Sequence, residues 1–343
     1  MIAEGSNSGG EIVDHYCLYH DEMPSFLREI AQVPAVRRLQ NIGMNCGCEY
    51  TSFPRFKGLA PYSRFDHSLG VALIVWHFTQ DRAQAVAGLL HDIATPVFAH
   101  VVDFMRGDYL KQESTEDQTV RLITASDELL QMLKRYDLTV EDVCDYHRYP
   151  IADNETPRLS ADRLEYTIGN GINFGICTEE SARRFYNDLV IGVNEDGQNE
   201  LMFSHGESAK GFAAVALECS RIYVSDEDRY AMQMLSEILY DAIQRNVIQE
   251  DDLYTTEPEV IGRLRQDSRS KGQWEEYRTY SRILHGEQSG PEANWRKVMA
   301  KKRWIDPMVR GSGRVSQLFP ALANDLKAFL HSSQDDWLCG RSR

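Results

Sequence analysis

At 343 residues, 42% hydrophobic and 26% charged, the chain has the make-up of a soluble globular protein with room for one large domain or two smaller ones. No apolar run approaches the length needed to cross a bilayer. The net charge of −15 argues against a broad nucleic-acid or acidic-membrane surface, though not against a locally basic pocket for a phosphorylated small molecule. The seven cysteines are scattered without a CxxC pair, which argues against a zinc ribbon or disulfide framework and points to a reducing cytoplasm. Cys46-Gly47-Cys48 has the wrong spacing for a zinc knuckle.

Residues 1–20 open with neither a basic n-region nor an apolar h-region, so no secretory signal is expected and the segment reads as a flexible leader. Pro24-Ser25 marks a helix start ahead of Phe26–Ile30, and Val36–Ile42 reads as helical. Residues 43–63, rich in Gly, Pro, Tyr and Phe, read as a loop or short hairpin. A helix then runs from His67 to about Thr79, with Leu69, Leu73, Ile74 and Phe78 at helical spacing. Asp81 caps the next helix, which continues to Ile93 and stops ahead of Thr95-Pro96. Ser114 or Thr115 is placed to cap a helix through Ile123, Thr139 to cap Val140–Tyr146, and Leu159–Ile168 carries an apolar side. The convincing β signal is Leu189–Asn194 and Glu200–Phe203 flanking the turn residues Asp196-Gly197. Helical patterns return over 207–224 and 227–247, with shorter ones over 250–266 and a last one over 319–331. A polar, Gly-rich change near 268 separates a main domain, 21–267, from a C-terminal helical extension, 268–343. That extension carries the dense basic cluster Arg296-Lys297 and Lys301-Lys302-Arg303, read as a solvated helix face or as a contact for substrate or partner. The fold class expected is all-α with one or two small β-hairpins.

The chemistry concentrates in Arg64–Gly70 and Gly88–Asp103. An apolar run, Ala85–Leu90, ends in His91-Asp92, and burying such a pair is costly unless something compensates both groups, as a metal ion does. Two antiparallel helices with a short connection bring His67, near the start of the first, beside His91-Asp92 at the end of the second. Imidazole and carboxylate ligands suit Mn, Fe, Ni or Zn. Arg64, one helical turn before His67, shares that face and can bind phosphate bidentately, the alternative being a salt bridge to a carboxylate. His100 and Asp103 are three apart at a helix start, so Asp103 can orient His100 or act near an attacking water; the plainer alternative is a helix cap. No GxxxxGK[ST], GxGxxG or GxSxG word is present.

The words Arg37–Gly43, Phe53-Pro54, Ser63–Gly70, His91–Asp103 and Asp162-Arg163-Leu164-Glu165-Tyr166 occur in an order that resembles the HD superfamily of metal-dependent phosphohydrolases. Over roughly residues 30–250 the chain looks most like the deoxynucleoside triphosphate triphosphohydrolases: the vertebrate enzyme with a sterile-alpha-motif appendage and its bacterial dGTPase relatives. The resemblance implies an HD-domain helical bundle and a divalent metal held by His67, His91, Asp92 and Asp162, with Mg accompanying a nucleotide. It implies phosphate contacts from Arg163 and Tyr166, where the family has Lys and Tyr, although Tyr166 also reads as core packing. Base and sugar would lie near Tyr166, Asn170 and Tyr230, and a homo-oligomer is expected. Two positions depart from the pattern: Thr95 stands where the family has a second His, and Gln112-Glu113 where it has His-Glu. Thr and Gln cannot carry a proton near neutral pH, which leaves His100, Asp103 or Glu113 as catalytic candidates. The expected function is hydrolysis of (deoxy)nucleoside triphosphates or other nucleoside phosphates. The alternatives are a metal- and nucleotide-binding regulatory protein that has lost turnover, and an HD phosphodiesterase acting on a cyclic or oligonucleotide. Neither a membrane nor an extended nucleic-acid partner is expected.

Overall fold

A computed structural model describes residues 18–107, 118–286 and 294–342, and is mainly helical with two small sheets among those residues. Two short helices, α1 (Ser25–Ala31) and α2 (Pro34–Arg37), lead to the central helix α3 (Arg64–Thr79). Ser63 starts α3 through a reciprocal pair of hydrogen bonds: its hydroxyl accepts from the Asp66 N–H, and its own N–H donates to the Asp66 carboxylate. The helix therefore begins at Arg64 rather than His67, a turn earlier than apolar spacing indicates, because a polar cap sets the start. Most of its residues are buried, from Arg64 to Val75 with Asp66 excepted, which is the pattern of a helix enclosed on all sides. Gln80, at φ 52°, ends it, and Asp81 caps α4 (Arg82–Leu90) through the Gln84 N–H. A Cβ at Gly88 would lie 3.2 Å from Val71, so the bare glycine lets α4 approach α3 closely.

The chain continues through α5 (Val101–Met105), α6 (Thr119–Thr124), α7 (Asp127–Arg135) and α8 (Val140–Val143). The cap expected at Ser114 or Thr115 lies outside the described residues. Helix α7, capped by Ser126, is not among the elements expected from the sequence, although Leu129, Leu130, Met132 and Leu133 stand at helical spacing and all pack on the core. Ser160 caps α9 (Ala161–Asn173), which packs against α3, and Thr178 caps a further unanticipated helix, α10 (Glu179–Asn187). The hairpin forms as expected: β1 (Leu189–Val193) pairs antiparallel with β2 (Asn199–Phe203), Leu189 opposite Phe203, around Gly197 at φ 77°.

After α11 (Gly206–Tyr223), α12 (Asp226–Gln244), α13 (Glu257–Gln266) and α14 (Ser268–Thr279) come β3 (Arg282–Gly286), β4 (Arg296–Lys297), β5 (Met308–Val309) and β6 (Gly313–Arg314). Two helices, α15 (Val315–Leu318) and α16 (Pro320–His331), precede β7 (Trp337–Arg341). One sheet has the order β1-β2-β5-β6, with β5 parallel to β2; the other has the order β3-β7-β4. The β2–β5, β3–β7 and β4–β7 pairings join strands far apart in sequence, and the two-residue strands β4, β5 and β6 carry no readable alternation, so the sequence does not announce them. Arg296-Lys297 accordingly sit in β4 and not on a helix face. An apolar core runs from Leu27 and Ile30 through Phe65, Leu89 and Leu164 to Tyr277 and Leu338. No helix among the described residues is long and apolar enough to cross a membrane.

Two carboxyl groups are enclosed in this core. Glu257, opening α13, accepts from the Tyr50 hydroxyl at 2.7 Å and from the N–H of Gly43 at 2.9 Å and Phe98 at 3.3 Å. Burial, and then the Glu257 charge, push Glu49 up to about 8. A carboxyl that keeps its proton when folded and loses it when unfolded contributes stability below its unfolded pKa of about 4.3, and that contribution is lost as pH rises through the folded value. Stability should therefore decline between about pH 4.5 and 8, and Glu49→Gln should flatten the decline by on the order of 1–3 kcal/mol at the upper end. Urea melts of both proteins across this range test it; an unchanged slope in the variant contradicts it. Asp228, which burial pushes up to about 8, adds a slope of the same sign to both proteins.

Candidate metal centre and substrate cavity

Helices α3, α4 and α9 bring His67, His91 and Asp162 together. The two Nε2 atoms lie 3.2 Å apart, and Asp162 Oδ1 lies 2.9 Å from that of His67 and 3.7 Å from that of His91. One ligand atom from each residue falls within 4.8 Å of the others, and the donor set of two imidazoles and a carboxylate is suited to a divalent metal.

The far side of each ring is fixed as a metal ligand requires. His67 Nδ1 donates to Glu165 Oε2 at 2.5 Å, and His91 Nδ1 donates to the Gly88 carbonyl at 2.7 Å. Both hydrogen bonds turn the Nε2 lone pair toward the cluster. Burial pulls the His67 pKa down, but its hydrogen bonds to Asp162 and Glu165 outweigh that and raise it to about 10. Carboxylates on both ring nitrogens thus favour positive charge at this point, whether proton or metal ion. Asp162 moves the other way: burial opposes ionisation, yet the hydrogen bond and charge of His67 hold it down at about 2. Tyr62 steadies Glu165 by donating to the same Oε2 at 2.6 Å. Glu165 belongs to the Asp162–Tyr166 word, but spacing alone assigns it no task. Its role emerges only once α9 lies on α3, where a Cβ at Gly70 would come 2.6 Å from Glu165 Cγ.

Asp92 stands at the edge of the triad. Its Oδ2 is 3.7 Å from His91 Nε2 and 4.0 Å from His67 Nε2, and it accepts from Arg64 Nη1 at 3.1 Å. Burial raises its pKa, but the charges of Arg64, His91 and His67 hold it well below the usual carboxylate range. Thr95, in the position where a second histidine was expected, donates its hydroxyl to Asp92 Oδ1 at 2.6 Å. Arg38 pins the turn that follows His91-Asp92, donating to the carbonyls of Ile93 at 2.9 Å, Thr95 at 2.7 Å and Thr255 at 3.1 Å.

A cavity of about 720 Å³ opens over the cluster, lined among others by Arg64, His67, His91, Asp162, Arg163, Tyr166, Asn170 and His100. Arg163 reaches it while donating to Asp153 at 3.0 Å, Asn154 at 2.9 Å and Ser160 at 3.2 Å. Asn170 donates to the Tyr223 hydroxyl at 2.8 Å, and the Tyr166 and Tyr223 rings meet edge to face at 6.2 Å. His100 Nδ1 donates to Asp103 at 2.9 Å, and its Nε2 accepts from Arg303 Nη2 at 3.1 Å. Burial lowers the His100 pKa to about 4, so the ring is neutral near pH 7.

Tyr230 is not at this cavity. It is fully buried on α12, packed against Tyr280, with its hydroxyl on the Asn294 carbonyl, so its expected place beside base and sugar is corrected to one in the core. Glu113 and Gln112 lie outside the described residues. Cys46 lines the cavity, but burial pushes its thiol up to about 11, and a neutral thiol is a poor ligand. Arg303 and Trp304, from the basic cluster read as either a solvated helix face or a contact for substrate or partner, line the cavity, and so does Tyr146, which sequence reasoning missed and whose ring meets that of His91 at 4.9 Å.

Residues 64–166, which contain the whole triad, match the family profile of the HD domain. This stretch is an HD domain. Beyond it, the chain is 27% identical over 206 residues to YdhJ, an uncharacterized protein of Bacillus subtilis, covering 59% of this chain and 61% of that one. It is 26% identical over 213 residues to the metal-dependent phosphohydrolase cns2 of Cordyceps militaris, covering 61% of this chain and 58% of that one. The matched part therefore spans less than two thirds of either relative. A crystal structure of a hypothetical protein from Aquifex aeolicus superimposes with a TM-score of 0.61 at 17% identity, over 94% of this chain and 93% of that one, a likeness of fold. The HD domain supplies all three triad residues, while Arg303 and Tyr223 reach the cavity from outside it.

Proposed function

We propose that this protein is a metal-dependent phosphohydrolase acting on a nucleotide, a (deoxy)nucleoside triphosphate or another nucleoside phosphate. The observation that carries this reading is the convergence of two imidazole Nε2 atoms, 3.2 Å apart, on the Asp162 carboxylate at the wall of a cavity that arginines also line. His67, His91 and Asp162 would hold the ion, with Asp92 adjacent; Mn, Fe, Ni and Zn all suit such ligands. A bound divalent ion supplies Lewis acidity toward a phosphoryl oxygen and acidifies water.

The remaining tasks fall to the protein's own side chains. Glu165 and the Gly88 carbonyl keep both imidazoles in the ligating tautomer. Arg64, buried beside Asp92, places a fixed positive charge next to the reacting phosphate. Arg163 adds a second, braced by Asp153. The Tyr166 and Tyr223 rings with Asn170 offer a wall for sugar and base.

One observation favours a different reading. The Thr95 hydroxyl is committed to Asp92, and His100 Nε2 already accepts from Arg303, so neither group stands ready to move a proton. That arrangement suits a nucleotide-binding regulatory protein. A panel of nucleoside mono-, di- and triphosphates and cyclic nucleotides, incubated with Mn-loaded protein, separates the readings. Release of phosphate, polyphosphate or nucleoside is expected. Thermal stabilisation without any product would overturn the hydrolase in favour of the binder, and turnover of cyclic nucleotides alone would make it a phosphodiesterase.

A further inference from the structure

The segment that follows β4 is pinned from behind. Arg229 donates to the Val298 carbonyl, the Ala300 N–H donates to Gln334 at 2.7 Å, and Lys302 Nζ donates to the carbonyls of Leu330 at 2.8 Å and Ser332 at 2.6 Å. Held in this way, the segment turns Arg303 and Trp304 to the cavity. Asp103 is buried, and from it a string of hydrogen bonds runs outward through His100 to the Arg303 guanidinium. A guanidinium only donates, so His100 Nε2 must be the acceptor and its proton must sit on Nδ1, facing Asp103. The string thus ends on a cation whose position is set from the protein interior.

Arg303 enters the cavity on the segment after β4, outside the HD domain, whereas His67, His91 and Asp162 stand on α3, at the end of α4 and on α9. Arg64 and Arg163 line the same cavity beside the triad, so an anion there meets cations held by two different parts of the chain, and the volume of about 720 Å³ leaves room for a ligand that reaches both.

We infer that Arg303 is an anion-recognising residue, positioned by Asp103 and His100, that selects ligands carrying a second anionic group beyond the phosphate at the His67–His91–Asp162 centre. The first phosphate rests on the phosphohydrolase reading above; the second contact is Arg303's own. His100 is then a positioning residue, and the ligand class is a di- or polyphosphate rather than a simple monoester.

Calorimetric titration of the Mn-loaded full chain with orthophosphate, pyrophosphate and tripolyphosphate tests this. Wild-type protein should bind the longer anions at least about tenfold more tightly than orthophosphate. Arg303→Met should remove that preference while leaving orthophosphate affinity, manganese content and melting temperature within about twofold or a few degrees of wild type. Arg303→Lys should restore part of the preference, since it keeps the charge and loses the fork. His100→Leu should behave like Arg303→Met, and His100→Gln, which keeps an acceptor, should not. An Arg303→Met protein with the wild-type ratio of affinities overturns the inference, as does a wild type with no preference. Loss of orthophosphate and manganese binding with tripolyphosphate binding still dependent on Arg303 would overturn the metal reading and leave this one standing.

Discussion

Replacing Asp162 with Ala is expected to lower phosphate release by at least about 10³-fold, roughly 4 kcal/mol of transition-state stabilisation, and to take manganese content from about one ion per chain to none. The reason is geometric. Asp162 is the carboxylate of the three-residue cluster, 2.9 Å from His67 Nε2 and 3.7 Å from His91 Nε2, and without it two imidazoles remain beside an Asp92 carboxylate already engaged by Arg64. Two neutral imidazoles are a weak site compared with a set that includes an anionic ligand. Asp162 is also the partner of buried His67, so truncation should lower the melting temperature as well, and Asp162→Asn, which keeps the shape and removes the charge, separates loss of the ligand from loss of folding. Near-wild-type turnover in Asp162→Ala would mean that the ion, or the chemistry, is somewhere else.

The second large effect belongs to a residue that never touches the ion. Glu165→Gln should weaken manganese affinity by about 10–100-fold, the usual cost of removing a partner behind a ligating histidine. Glu165 accepts from His67 Nδ1 at 2.5 Å and from Tyr62 at 2.6 Å. Its charge fixes the tautomer and makes Nε2 more electron-rich. Gly70→Ala provides an independent arm, because the new Cβ would lie 2.6 Å from Glu165 Cγ and displace the carboxylate without altering its chemistry. Competition titrations followed by manganese electron paramagnetic resonance would measure both. A wild-type dissociation constant in Glu165→Gln would remove Glu165 from the account.

How legible all this is in the sequence depends on the range of the interaction involved. His67 and His91 can be paired because a two-residue connection between two apolar helices forces them together, and local caps at Ser63 and Asp81 set those helices. Asp162 joins them only through the order of the motif words, and its neighbour Glu165 has no visible task there. What gives Glu165 its task is a glycine on another helix, and no periodicity reports such a contact. Arg303 is hidden for a related reason. A run of basic residues reads as a solvated face when taken as a helix, but here it follows a short strand paired with the distant β7, and Lys301 and Arg303 line the cavity while Lys302 turns to the carbonyls of Leu330 and Ser332. Tyr230 fails in the opposite sense: aromatic residues at helical spacing fit core and ligand site equally, and the core took this one. Thr95 reads in the sequence as the loss of a proton carrier, whereas its hydroxyl holds Asp92 in place.

Anomalous diffraction from crystals of the manganese-loaded protein tests the central claim most directly. A single strong peak is expected between the Nε2 atoms of His67 and His91 and the Asp162 carboxylate, absent from His91→Ala crystals grown alike. No peak at that point, or one that persists without His91, would contradict it.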